Sequence, residues 1–363
     1  MRGSKLQNER LYIVLYGAVN SGKSTLFNQL IREERSVVSS LAGTTTDAVY
    51  KAIELPAIGP AVLVDTPGVG DDSVLGTKRM QATRNALKKA DIVLCLLPKN
   101  QPVPKSLTEE FPQAIFAPIY DPTPDIVLRT LQRTIADKPE NERSITGNLV
   151  QNGDLVMLVM PQDKSAPKGR LILPQVQVIR ELLDKQCEIV CVQPAQLKSA
   201  FSSLKKSPNL VITDSQVFLE VERICPSDVP LTSFSVLMSA YKGSLNELLD
   251  GARVIPRLRP DARILIAEAC SHIPTNEDIG RVKLPSLLRR KLGNNLLIDH
   301  VNGQDFPDDL TPYDLIIHCG ACMFNRTHLL NRQNQATQQA VPMTNYGIAI
   351  AQLLGILDRV ALP

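Results

Sequence analysis

Tryptophan is absent from the 363 residues, and aromatic side chains make up only 4 %. Stacking platforms for single-stranded nucleic acid are built from such rings, so the sequence is poorly supplied for that role. An excess of one charge is also missing: 40 Lys and Arg stand against 37 Asp and Glu, a net charge of +3. A chain so balanced has no global electrostatic reason to bind nucleic acid or an anionic membrane, and neither is expected as a partner. No apolar run approaches the ~18 residues of a membrane span, and the polar opening MRGSKLQNER lacks the pattern of a secretory leader. The seven cysteines are odd in number and scattered, which argues against a disulfide-stapled scaffold and for reduced thiols in a cytoplasmic protein. Histidine is scarce and unevenly placed. All four (His272, His300, His318, His328) lie beyond residue 269, as do Cys270, Cys319 and Cys322.

At ~100–200 residues per domain, the length calls for two or three domains. Short β-branched runs alternate with helical patterns throughout, which predicts three consecutive α/β domains with mostly parallel sheets. The first is read over 1–146, with strands at 11–16, 61–65 and 91–97, a proline-rich piece and the polar linker ADKPENERS at 136–144. The second, 147–258, has predicted strands at 154–160, 188–192, 209–213 and 232–238, with helices at 176–184, 196–205, 216–224 and 244–249. The third, 259–363, has strands at 263–268, 296–299 and 314–317, a helix at 285–292 and a last helix from 346.

Residues 17–24, GAVNSGKS, fit G-x-x-x-x-G-K-[ST] between a strand and a helix. Gly17 and Gly22 let the backbone curl so that its N–H groups point inward, and the following helix adds its positive end. Lys23 is placed to bridge the β- and γ-phosphates and Ser24 to hold Mg2+, with Asn20, Ser21 and Thr25 completing the loop's binding positions. Downstream, Asp65-Thr66-Pro67-Gly68 ends the next apolar strand. Asp65 there can hold Mg2+ through water, and the Gly68 N–H can reach a γ-phosphate. Between the two lies Gly43-Thr44-Thr45-Thr46-Asp47, a polar loop from which Thr45 can close over Mg2+.

In this order the three motifs resemble the phosphate-binding half of a small GTPase of the Era and TrmE-like group. The resemblance implies a P-loop GTPase-like first domain acting on GTP. It makes Asn20 a helper for a bound K+ and Val69 the occupant of the position where Ras-like enzymes carry a water-orienting Gln, so slow, potassium-stimulated hydrolysis is expected. The N-K-x-D motif that selects guanine is missing: Lys99-Asn100 is reversed, and AIFAPIYD at 114–121 ends without it. The domain is also short for this group, so base selectivity between GTP and ATP is open.

The histidine and cysteine cluster forms a two-part motif. Cys270-x-His272 follows the strand RILIAE, and His318-Cys319-x-x-Cys322 follows DLII. Both sit at carboxyl ends of predicted parallel strands, where open α/β sheets assemble their sites. Three thiolates with nearby imidazoles suit tetrahedral zinc or an iron–sulfur cluster. Between the halves run Arg281, Lys283, Arg289, Arg290 and Lys291, either a solvated helix face or a positive rim for an anionic precursor. His300 and His328 lack a Cys partner at ligand spacing and read as structural, while Cys95, Cys187, Cys191 and Cys225 read as packing residues.

C-x-H, a spacer of 45, and H-C-x-x-C behind a phosphate loop together resemble the HydF family of FeFe-hydrogenase maturation GTPases. The likeness extends through APKGRLILPQV (166–176), NLVITDSQ (209–216), EDIGRVKLP (277–285), DLIIHCGACMFNR (314–326) and VPMTNYG (341–347). It implies a nucleotide domain, a central dimerisation domain giving a homodimer, and a C-terminal domain holding a 4Fe-4S cluster on Cys270, Cys319 and Cys322. His272 and His318 are then alternatives for the fourth ligand or for outer hydrogen bonds. The implied role is a carrier that receives a di-iron precursor from radical-SAM maturases and delivers it to the apo-hydrogenase. Two other readings stand beside it: a TrmE/Era-like GTPase acting on RNA or ribosomes with a structural zinc, and a nucleotide-binding scaffold without hydrolysis.

Overall fold

The computed structural model describes residues 10–32, 47–56, 58–69, 74–136, 143–162, 171–269, 278–303, 305–321 and 324–363. It divides into two units, Met1–Asn141 and Glu142–Pro363.

In the first unit a fully buried apolar run makes the sheet centre. Strand β1 (Leu11–Gly17) is followed by α1 (Lys23–Arg32), β2 (Val49–Leu55), β3 (Gly59–Asp65), α2 (Val74–Leu87), β4 (Ile92–Leu96), α3 (Lys105–Glu110), β5 (Ile115–Ile119) and α4 (Pro124–Ala136). The sheet order is β2-β3-β1-β4-β5, parallel except for β2. Strand β4, IVLCL, is buried at every position, as a parallel strand covered on both faces requires. By contrast β2, VYKAIEL, pairs antiparallel at the edge and sends Lys51 and Glu54 to one face and Ile53 and Leu55 to the other. Its mixed polarity kept it out of the sequence-predicted strands.

The second unit holds two four-stranded sheets. The first comprises β6 (Leu155–Val159), α5 (Leu173–Asp184), β7 (Glu188–Val192), α6 (Leu197–Ser203), β8 (Leu210–Thr213), α7 (Phe218–Ile224) and β9 (Leu231–Ser233), in the all-parallel order β7-β6-β8-β9. Helices α8 (Phe234–Lys242) and α9 (Leu245–Val254) lead to the second sheet. That sheet comprises β10 (Arg263–Glu268), α10 (Leu284–Leu292), β11 (Leu297–Asn302), β12 (Leu315–His318), α11 (Arg326–Gln338), β13 (Met343–Asn345) and α12 (Tyr346–Leu354), in the all-parallel order β11-β10-β12-β13.

One hydrophobic core joins both sheets, running from Met157 through Phe218, Val236 and Leu249 to Ile266, Ile316 and Ile350. Two contacts show how closely they share it. The glycine of α9, Gly251, lies against the β13 backbone, where an added Cβ would sit 2.5 Å from the Met343 carbonyl carbon. The chain end returns to the first of these sheets, with Ala361 N–H donating to the Leu231 carbonyl at 2.8 Å.

The strand expected at 232–238 is a correction. Only Leu231–Ser233 is strand; the Ser233 hydroxyl then accepts from the Val236 N–H at 3.3 Å and caps α8. An apolar run of this length carries no period of its own, and the cap decides where strand gives way to helix.

Candidate functional site

The phosphate loop lies between β1 and α1, flanked on the sheet by β3 and β4. Asn20 and Gly22 both adopt left-handed backbone, φ 62° and 89°, which curls the loop. Its far side is zipped to the segment after β3: the Val19 N–H donates to the Val69 carbonyl at 3.3 Å and the Val69 N–H to the Gly17 carbonyl at 3.2 Å. Gly68 permits this approach, since a Cβ there would lie 2.5 Å from the Val19 Cα. Lys23 is 5 % exposed, and its ammonium donates to the carbonyls of Gly17 at 3.0 Å and Ala18 at 2.7 Å. Burial lowers the Lys23 pKa from its ordinary value, opposed by the negative charge of Asp65. The Ser24 hydroxyl donates to Asp65 Oδ2 at 2.6 Å. Burial raises the Asp65 pKa, opposed by the Ser24 bond and by Lys23, and Asp65 Oδ1 is buried without a hydrogen-bond partner. A buried carboxylate oxygen beside a hydroxyl is the donor set a hard divalent cation takes. Gly43, Thr44, Thr45 and Thr46 lie outside the described residues.

At the other end of the chain, β10 and β12 are neighbours, Ala267 standing opposite His318. From β10 the chain goes to β11 on one side and afterwards to β12 on the other, so the two strands flank the switch point where such sheets open a crevice. The Cys319 N–H donates to the Ala267 carbonyl at 2.8 Å, and the Ala269 N–H donates to Cys319 Sγ at 3.0 Å. Cys319 is thus seated against the residue that precedes Cys270. Cys270, His272 and Cys322 lie outside the described residues, and among the described residues no group of three or more His, Cys, Asp or Glu gathers to hold a metal.

His318 is fully buried. Arg332 Nη1 stands 2.9 Å from its Nε2, and its Nδ1 stands 2.8 Å from the Cys319 carbonyl. A guanidinium can only donate, so Nε2 is the acceptor and Nδ1 carries the proton. Burial, then the Arg332 charge, brings the His318 pKa down to about 3. The ring is therefore neutral with both nitrogens engaged. Arg332 is itself buried, stacks between Phe306 and Phe324 with its guanidinium 4.5 and 4.6 Å from their ring centres, and donates to the Gly303 carbonyl. A sulfur that already accepts an N–H bond, backed by a buried cation, fits an anionic metal–thiolate group.

The other sequence candidates separate clearly. His328 is buried and stacks on Phe324 at 3.8 Å, and His300 Nε2 lies 3.1 Å from the Gly280 carbonyl. Of the packing cysteines, Cys95, Cys187 and Cys225 are buried, but Cys191 is exposed, because β7 is an edge strand. Arg281 pairs with Glu268 at 3.6 Å and Lys283 donates to Gln216 at 3.0 Å, leaving Arg289, Arg290 and Lys291 as an exposed basic face of α10. Arg332 and Lys242 escaped the sequence reading. The one signal available was a basic residue amid polar positions of a helix that follows H-C-x-x-C.

No described helix is long and apolar enough to cross a membrane. The phosphate loop, the Ser24–Asp65 pair and the mostly parallel sheet around them define a GTPase domain, and residues 12–120 match the family model described as 50S ribosome-binding GTPase. The remainder matches two further models, hydrogen maturase F dimerization domain over 145–243 and hydrogen maturase F tetramerization domain over 246–363. The chain belongs to the hydrogen maturase F family, the hydrogenase maturation GTPases, and it carries two domains of oligomer-forming type.

Curated relatives match over the nucleotide domain's length. The tRNA modification GTPase MnmE of Streptococcus agalactiae serotype Ia is 35 % identical over 103 residues, 28 % of this chain and 22 % of that protein. The MnmE of Methylobacterium sp. (strain 4-46) is 40 % identical over 99 residues, 27 % and 22 % of the two chains. The chain thus matches about a fifth of the length of these relatives. Among solved structures, Aquifex aeolicus Era bound to GDP and AlF4− aligns over 80 % of this chain and 92 % of that one at 17 % identity, but a TM-score of 0.22 carries no argument.

Proposed function

We propose that this protein is a carrier in FeFe-hydrogenase maturation: it binds a 4Fe-4S cluster through Cys270, Cys319 and Cys322, receives the di-iron precursor and delivers it to the apo-hydrogenase. The observation that carries this reading is the seating of Cys319 at the β10–β12 switch point, its sulfur held by the Ala269 N–H beside Cys270. When bound, the cluster supplies an iron with an open coordination position, which suits a cargo that must arrive and leave. The protein's own residues seat the sulfurs, exclude water behind Cys319 and keep His318 neutral. His318 belongs to the outer hydrogen bonds in this reading, since both its nitrogens are engaged, and His272 stays the candidate for the fourth ligand.

The division of labour is a nucleotide domain over 1–146, a central dimerisation domain over 147–258 and a cluster domain over 259–363, in a cytoplasmic homodimer working with radical-SAM maturases. Gly17, Asn20, Ser21, Gly22, Lys23, Ser24 and Thr25 cradle the phosphates of GTP, and Ser24, Thr45 and Asp65 hold Mg2+. Gly68 offers its N–H to the γ-phosphate. Asn20 recruits K+, and hydrolysis serves as a timer for release. Support comes from the curled loop and from the partnerless Asp65 Oδ1.

The test is anaerobic reconstitution of the full chain with iron and sulfide, followed by EPR. The wild type should take up a 4Fe-4S cluster and Cys319→Ser should lose the charge-transfer absorbance. A colourless protein holding one zinc would replace this reading with a structural site.

A further inference from the structure

Behind the cysteine motif a cation is buried without a counter-ion. Arg332 is 4 % exposed. Its Nη1 donates to His318 Nε2 and its Nη2 to the Gly303 carbonyl, two neutral acceptors. Its faces are covered by Phe306 and Phe324. Its Nε is buried with no partner, and among the described residues no carboxylate stands within ion-pair range of it. A guanidinium taken out of water without an anion is strongly unfavourable, and stacking on two rings offsets only part of that cost. Burial brings its pKa down to about 10, and the one charged group that opposes this is Cys319. The protein therefore keeps a full positive charge in a place that pays only if negative charge is stationed at the neighbouring sulfur.

We infer that Arg332 is a positioning residue for the metal–thiolate group: it fixes the His318 ring that braces the Cys319 carbonyl, and its buried charge holds the cluster at a higher reduction potential than the fold alone would give. The inference rests on the reading that Cys319 ligates a cluster. Its physical basis is general. Reduction adds a negative charge to the cluster, and an unscreened cation nearby favours the more negative state. Helix α11 supplies the charge from inside because its buried face is polar, with Thr327, His328, Arg332 and Gln333 all turned inward. A helix merely filling space would carry leucines at those positions.

The experiment compares full-length wild type with Arg332→Gln, Arg332→Met and Arg332→Lys, each reconstituted anaerobically and followed by redox titration with EPR detection and by iron content. The two neutral variants are expected to shift the midpoint potential downward, and Arg332→Lys to keep it near the wild-type value. Should the neutral variants fail to retain iron while Arg332→Lys does, the requirement for the charge is likewise supported. A neutral variant that holds its cluster at the wild-type potential overturns the inference. So does an Arg332→Lys potential shifted as far as the neutral ones, or loss of iron from all three, which would make the role steric. Absence of a cluster from the wild type is a different result: it removes the cluster reading itself.

Discussion

The Ser24 hydroxyl and the Asp65 carboxylate meet at 2.6 Å across the mouth of the phosphate loop, and the other Asp65 oxygen is buried with nothing to bind. Burial disfavours the ionised form there and raises the Asp65 pKa, so a divalent cation that favours ionisation would be bound against little competition. Asp65→Asn keeps the shape and removes the charge. It should cut phosphate release by about 100- to 1000-fold, the several kcal/mol that metal-ion charge stabilisation supplies. The measurement is phosphate release across a Mg2+ titration; a variant with the parent's Mg2+ dependence would show that Asp65 does not serve the metal.

Asn20 holds a left-handed backbone, φ 62°, a conformation that Asn tolerates and glycine adopts freely. Asn20→Gly therefore removes the side-chain oxygen without straining the loop. Turnover in the parent should be faster in K+ than in Na+, and the variant should hydrolyse at one rate in both. Equal rates in the parent would remove K+ from the mechanism.

How much of this was readable in the sequence depends on what each element buries. The apolar strands β1, β4, β6 and β10 announce themselves, because parallel strands are covered on both sides. The phosphate loop and both halves of the cysteine motif were placed correctly at strand ends for the same reason. Helix α11 was missed: Arg326–Gln338, RTHLLNRQNQATQ, buries Arg332 and Gln333 where the pattern asks for apolar residues. Strand β13 was missed because it has only three residues, Met343–Asn345, and ends at once in the Asn345 cap of α12. The clasp on the cysteine loop follows from these two failures, since polar partners far apart in sequence leave no periodic trace.

Glu181 on α5 gives the second unit a pH dependence. Its carboxylate accepts from the hydroxyls of Ser144 at 2.8 Å and Thr146 at 2.6 Å, and from the N–H groups of Ile145 at 2.5 Å and Thr146 at 2.9 Å. Burial alone would raise its pKa, but these donors outweigh it and hold the value below normal. The sign follows: this stability is present above the unfolded carboxyl's pKa of about 4.3 and is lost as pH falls through the lower folded value. At pH 7, Glu181→Gln should cost about 2–3 kcal/mol, the scale of hydrogen bonds to a charged group. Urea midpoints at pH 7 and pH 3 check it: the parent should lose more on acidification than the variant, and equal losses would mean that the clasp does not titrate.

Lys242 ends α8 within a residue of the boundary between the two oligomerisation segments, and it is 1 % exposed. Its ammonium donates to the carbonyls of Ala321 at 3.3 Å and Phe324 at 2.8 Å, the two ends of the turn that contains Cys322. Ala321 is buried in left-handed backbone, φ 51°, which costs a non-glycine residue about 1–2 kcal/mol, so the turn needs holding. Nearby, the Ser244 N–H donates to Gln333 Oε1 at 2.9 Å, the Gln333 amide donates back to the Ser244 carbonyl at 3.2 Å, and Arg326 donates to the Gly243 carbonyl at 3.3 Å. The segment 242–244 is thus clasped to the cysteine loop and to α11 from outside the motif. Lys242→Met would leave two buried carbonyls without their donor. Iron in the reconstituted protein should then be lost to a chelator about 10- to 100-fold faster, the range seen when outer partners of a metal site are removed. An unchanged rate of loss, in a protein whose apo-form melts as the parent does, would show that the turn holds itself.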